Sequence, residues 1–143
     1  MAVIKVDHVA VVVADMDAAL SFWRDAMGLR LERTESNADE AVDIAFLPVG
    51  ESHVELLAPT TDDSGVARYL EKRGGGLHHL CVAVDDIDLA MSKLVDSGVE
   101  LINETARTRE DGTRYAFVHP RSTGGVLVEL YQYAGTVDSE SGG

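Results

Sequence analysis

Cysteine is almost absent from this chain. Cys81 is the single one, so no internal disulfide can form and the fold cannot rest on covalent staples. Lysine is nearly as rare, at Lys5, Lys72 and Lys93, and 12 basic residues face 25 acidic ones for a formal net charge of −13. A chain so acidic repels nucleic acid and anionic lipid, so neither is an expected partner. No apolar run reaches the roughly 18 residues that a membrane span needs. The N-terminus carries neither the basic start nor the small-residue cleavage site of a signal peptide. The expected location is the cytoplasm. An acidic, lysine-poor surface fits a high-salt cytoplasm as well as an ordinary acidic bacterial enzyme.

What is present is a large apolar fraction, 45% of 143 residues, and an internal echo. The length suits one domain, or two small halves sharing a core. "KVDHVAVVVAD" near the start and "GLHHLCVAVDD" near the middle superimpose. His8 falls on His79, Val11 on Val82, Asp15 on Asp86, Ser21 on Ser92 and Asp25 on Asp96. Each copy opens on a β-branched strand. An aspartate then caps a helix, Asp15 in one copy and Asp86 in the other. Met16, Ala19, Leu20, Trp23 and Met27 give the first helical stripe, ended by Gly28. Ile87, Ala90, Met91 and Leu94 give the second, ended by Gly98. Three strands are predicted after each helix, near 29–35, 41–48 and 52–58 in copy one and near 99–103, 113–119 and 125–133 in copy two. The expected fold class is therefore α+β, with two tandem βαβββ modules forming a curved mixed sheet cup. A single domain over 1–133 divides into module one at 3–58, a linker at 59–75 and module two at 76–133. Ser64 is predicted to cap a short linker helix through Arg73. The small, polar tail at 134–143 is expected to be disordered.

Side chains alternate along a strand, so His8 shares a face with Ala10 and Val12, and His79 with Cys81 and Ala83. The last strand of each copy holds the tripeptide "VEL", with Glu55 and Glu129 among valines and leucines. A mid-strand carboxylate in apolar surroundings is costly to bury without a partner. Two such carboxylates at equivalent points, each matched by a first-strand histidine, point to a shared ion. Pseudo-twofold packing would bring His8, Glu55, His79 and Glu129 together, a donor set suited to Co2+, Zn2+, Mn2+, Ni2+ or Fe2+. The repeat selects His79 over His78, which takes the place of Asp7 and points to the other face. His53 shares a face with Glu55 and is an alternative to it as a ligand. His119, before Pro120, is expected to close a strand into a turn.

The segments "VDHVAVVVADMDAALSFW", "VDIAFLPVGESHVELLAP", "YLEKRGGGLHHLCVAVDDID" and "YAFVHPRSTGGVLVELYQ" cover nearly the whole chain except the tail. Together they resemble the vicinal oxygen chelate superfamily, which includes glyoxalase I, extradiol dioxygenases and antibiotic-resistance proteins. Within it they are most similar to the methylmalonyl-CoA epimerase family. The resemblance implies a divalent metal on His8, Glu55, His79 and Glu129, with Co2+ first and Zn2+, Mn2+, Ni2+ or Mg2+ as alternatives. It also implies a homodimer acting on a small acyl-CoA. One stretch departs from the family: "ARTREDGTRYAF" is charged where the relatives often carry a glycine-rich loop.

The implied reaction interconverts (2R)- and (2S)-methylmalonyl-CoA. The C2 proton lies between a thioester and a carboxylate, and an ion that neutralises the carboxylate and the enolate makes its removal feasible. Inversion calls for an acid/base on each side of the planar enolate. Glu129 is the expected catalytic base on one side. Asp43, on a strand face with Ala45 and Leu47, is the expected second, or else a solvated strand end. Arg121, Ser122 and Thr123 in "HPRSTGG" are expected to bind polar groups of the substrate, or to form a simple turn. Lys72, Arg73, Arg107, Arg109, Arg114 and Arg121 are the candidates to offset the CoA charge. The rivals are a glyoxalase I-like lyase or another enzyme of the superfamily, and a non-catalytic small-molecule binder of the same fold.

Overall fold

The computed structural model describes residues 1–135 of the chain. They fall into two compact units, one made of His8–His78 and the other of Met1–Asp7 with the chain from His79 on. The division cuts through the first strand, so its opening residues group with the second copy and the linker groups with the first. The tail expected to be disordered lies, from residue 136 on, outside the described residues.

In the unit of His8–His78 the strands are β1 (Val3–Val12, which enters from the other unit), β2 (Arg33–Asn37), β3 (Val42–Val49) and β4 (Ser52–Pro59). They lie in the order β2-β3-β4-β1. β1 runs parallel to β4, and the β2–β3 and β3–β4 pairs are antiparallel. Val49 pairs with Ser52 across a two-residue turn in which Gly50 has φ +58°. Such a turn fixes the register of everything behind it. Leu20, Ala45, Leu47 and Leu56 form a buried cluster on one face, joined by Val11, Val13 and Trp23. Burying a side chain such as Leu56 contributes about 1.5–3 kcal/mol. The other face carries Ala10, Val12, Val42 and Leu57. One end of that face is covered by α2 (Gly65–Arg73) through Val66, Tyr69 and Leu70. Ser64 caps α2 as expected, its hydroxyl accepting from the Ala67 N–H at 3.0 Å.

The first helix departs from the predicted stripe. Asp15 accepts from the Ala18 N–H and starts α1 (Met16–Leu20), but residues Ser21–Ala26 continue in wider π-type turns. The Met27 N–H reaches back five residues to the Phe22 carbonyl. An extra residue in the turn rotates the side chains beyond it, so Met27 leaves the apolar stripe and is 61% exposed. Strand β2 also starts later than predicted, because Leu29 and Leu31 pack into the α1 cluster instead of extending the sheet.

The second copy repeats the scheme. Its strands β5 (Gly76–Val84), β6 (Arg107–Thr108), β7 (Arg114–Val118) and β8 (Val128–Gln132) lie in the order β5-β8-β7-β6. Again the first and last strands of the copy are parallel and the other pairs antiparallel. Helix α3 (Ile87–Asp96) is capped by Asp86 and packs Ile87, Ala90 and Met91 onto Val84, Ala116, Val118 and Leu130. The strand predicted near 99–103 reduces to a single bridge, Leu101 with Val118. The Asn103 side chain takes the Phe117 N–H at 2.8 Å and the Ser122 hydroxyl takes the Glu100 N–H at 2.9 Å. Two backbone bonds remain beside the bridge, Ile102 N–H to the Phe117 carbonyl at 2.8 Å and His119 N–H to the Glu100 carbonyl at 2.9 Å, so side-chain acceptors supplement a short ladder there, and β6 also pairs with β7.

Candidate metal centre

In the first copy, alternation places His8, His53 and Glu55 on the face that α2 covers only at its other end. The registers Ala10–Glu55 and Phe46–Glu55 put a small residue on one side of the glutamate and an aromatic ring on the other. His8 is 1% exposed and Glu55 8% exposed. One carboxylate oxygen, Glu55 Oε2, lies 3.1 Å from His8 Nδ1 and 3.0 Å from His53 Nε2. The two imidazoles are stacked with centroids 5.3 Å apart. His53, an alternative to Glu55 in the sequence, therefore stands beside it.

In the second copy, the registers Cys81–Glu129 and Phe117–Glu129 reproduce this arrangement. Glu129 is 2% exposed, and its Oε1 lies 3.2 Å from His79 Nε2. The His79 ring meets Phe117 edge to face at 5.6 Å. Arg109 approaches the other oxygen, with Nη2 3.8 Å from Glu129 Oε2. His78 takes the opposite side of β5, and its ring packs edge-on against Tyr69 at 4.9 Å.

Donor spacing tests whether these residues suit a metal. With metal–donor bonds of about 2.0–2.2 Å, neighbouring donors at right angles lie roughly 3 Å apart. The imidazole–carboxylate separation of each copy has that spacing. The first copy offers two imidazole nitrogens and a carboxylate, the second one of each, and these donors match borderline divalent ions.

The other expected site residues are placed differently. Asp43 pairs with Ala58 and Ser36, so it shares the α1 face with Ala45 and Leu47, whereas Glu55 shares its face with Ile44 and Phe46. The Ser36 hydroxyl donates to Asp43 Oδ1 at 2.5 Å. The expectation that Asp43 points into the ligand face is corrected by this register. Ser122 accepts from the Glu100 N–H, as above. The Thr123 hydroxyl bonds the Pro120 carbonyl at 3.2 Å and accepts from the Val126 N–H at 3.0 Å. Arg121 lies 3.6 Å from Glu100. All three are engaged in the turn after β7 and are not brought to Glu129. His119 caps that turn, its Nδ1 accepting from the Arg121 N–H at 3.0 Å.

Residues 7–117 match the family model of the glyoxalase/bleomycin resistance protein/dioxygenase superfamily. The chain is 36% identical to the mitochondrial methylmalonyl-CoA epimerase of Mus musculus, over 90% of this chain and 72% of that one. The chain belongs to the methylmalonyl-CoA epimerase family. It is 32% identical to an ethylmalonyl-CoA/methylmalonyl-CoA epimerase of Cereibacter sphaeroides, over 90% of this chain and 97% of that one. A methylmalonyl-CoA epimerase solved with methylmalonyl-CoA and ammonium superimposes with a TM-score of 0.85 at 32% identity, over 96% of this chain and 99% of that one. The fold is thus the vicinal oxygen chelate fold expected from the sequence. Members of this family are isomerases, and the His–Glu pair of each copy is the feature of this chain to be explained in those terms.

Proposed function

We propose that this protein interconverts the C2 epimers of methylmalonyl-CoA, and that His8, Glu55, His79 and Glu129 together hold one divalent ion, Co2+ first. The observation that carries the reading is the duplication itself. Each copy presents a histidine, fully buried in the first copy and largely buried in the second, and a buried glutamate at ligand spacing, at matched points of matched strands. A structural ion pair needs no such repetition. The family relationship supports the same substrate class.

The ion would supply positive charge to the thioester oxygen and the free carboxylate as the enolate forms. His8, Glu55, His79 and Glu129 would hold it, and such a site would need to stay open to substrate, unlike a closed structural site. Glu129 then has two roles for its two oxygens. Oε1 faces His79, and the carboxylate is the base that takes the C2 proton. Burial keeps that carboxylate from competing hydrogen bonds with bulk water. With Asp43 turned to the α1 face, the proton on the second side is delivered by water in this reading. The protein is proposed to act as a cytoplasmic homodimer on its acyl-CoA substrate.

The test is loss of epimeric purity. One C2 epimer of methylmalonyl-CoA is incubated with metal-stripped protein and with protein reloaded with Co2+. Scrambling of C2 by the reloaded protein alone supports the reading, and retention of the single epimer in both samples overturns it.

A further inference from the structure

The charged loop between β6 and β7 places a cation beside Glu129. Arg109 follows β6 and opens the turn into β7. Its N–H donates to the Thr113 carbonyl at 2.8 Å, and its carbonyl accepts from the Gly112 N–H at 3.0 Å. Gly112 has φ +90°, and a Cβ there would lie 2.9 Å from the Ala134 Cβ, so the turn is seated against the chain that follows β8. The loop is therefore held, not loose, and so is the base of the arginine.

The guanidinium is held as well. Its carbon lies 4.3 Å from the centre of the Tyr115 ring and 5.7 Å from that of Tyr131. Tyr115 and Tyr131 face each other across β7–β8 on the side that carries Glu129. A guanidinium laid against aromatic rings has its plane, and so the direction of its N–H edge, fixed by them. Arg114 grips Asp88 with two bonds of 2.8 Å, and Arg121 lies near Glu100. Arg109 keeps 34% of its side chain exposed beside a glutamate that is 2% exposed. Five N–H donors on one plane can serve Glu129 and a second carboxylate together.

We infer that Arg109 is a specificity-determining residue that reads the free carboxylate of the acyl-CoA. This rests on the proposed function above. A malonyl-type substrate brings a negative carboxylate next to Glu129 in a chain of net charge −13. Arg109 offsets that repulsion and selects carboxylated acyl-CoAs over the analogue that has hydrogen in place of the carboxylate.

The test compares binding of methylmalonyl-CoA and propionyl-CoA by calorimetry, with Co2+-loaded parent, Arg109→Gln and Arg109→Lys. Co2+ binding and thermal melting are recorded for each variant. The parent should prefer methylmalonyl-CoA. Arg109→Gln should bind it roughly tenfold to a hundredfold more weakly, the range for losing a charge-assisted pair. Propionyl-CoA affinity should stay within about threefold, well below that range. Arg109→Lys should recover part of the preference, having the charge without the planar fork. A preference unchanged in Arg109→Gln, or both ligands weakened alike, overturns the inference and leaves the epimerase reading intact. A parent that binds neither ligand overturns the epimerase reading and this inference with it. Should Arg109→Gln fail to melt cooperatively, the Arg109→Lys preference decides: equal to the parent's, it contradicts the role of the fork.

Discussion

Glu55 and Glu129 hold equivalent places in the two copies. Each faces a phenylalanine across its antiparallel neighbour and a small residue across its parallel one: Phe46 and Ala10 for Glu55, Phe117 and Cys81 for Glu129. The small residue in each case stands two positions after the histidine of the same copy. A short side chain there leaves room for the imidazole and carboxylate to approach each other on the shared face. The duplicated sequence thus carries a duplicated chemical unit as well as a duplicated fold.

The first prediction concerns the face assignment. His79→Ala should abolish stoichiometric Co2+ binding, and His78→Ala should retain most of it, since His78 packs against Tyr69 on the other side of β5. Visible absorption during Co2+ titration measures both. Equal losses would show that the face of β5 has been misassigned.

Glu129→Gln separates ligand from base. An amide oxygen still coordinates but accepts no proton at neutral pH. Some Co2+ should remain bound while turnover falls by roughly 100- to 10,000-fold, the range for loss of a general base. Turnover close to that of the parent would remove Glu129 as the base.

Asp43→Asn is expected to be nearly silent. The side chain lies on the α1 face and accepts from Ser36. Epimerisation within about threefold of the parent is the expected outcome, far from the 100-fold or greater loss of a catalytic base. A loss in that larger range would return Asp43 to the mechanism.

Much of this was legible in the sequence, and the misses have specific causes. The matched histidines and the two "VEL" strands are read directly, because strand alternation and the repeat are local. The face of Asp43 depends on the register of β3 with β4, which is not local. It was still readable, since Gly50 and Glu51 make a two-residue turn that pairs residue 46 with 55 and so puts 43 on the other face. The π-type turns at Ser21–Ala26 and the side-chain caps at Asn103 and Ser122 depend on packing around them and leave no periodic signal. Arg109 was one of six possible cations. Only the fold shows that its loop is pinned by Gly112 and that its neighbours include Tyr115 and Glu129.

The pH response of α3 can be signed. Hydrogen bonds from Arg114 hold the Asp88 carboxyl below its ordinary 3.8, against a smaller opposing effect of burial. A depressed carboxyl pKa contributes stability that is fully present above the unfolded value and lost as pH falls through the folded one. Asp88 is 67% exposed, so the pair is worth about 0.2–1 kcal/mol after solvent screening. Arg114→Ala should therefore lower stability to urea slightly at about pH 7, and the difference from the parent should shrink toward about pH 3. A difference that grows on acidification would contradict the assignment.

The central claim is that a metal-supported carboxylate removes the C2 proton of methylmalonyl-CoA. The most direct measurement is proton NMR of methylmalonyl-CoA in deuterium oxide with the metal-stripped protein, before and after addition of Co2+. The account predicts that the C2 proton signal disappears, and the methyl doublet collapses, at an enzyme-dependent rate only after Co2+ is added, with Glu129→Gln slowing that rate in proportion to its loss of turnover. A C2 signal that persists in the Co2+-loaded parent, beyond the exchange seen without protein, would contradict it.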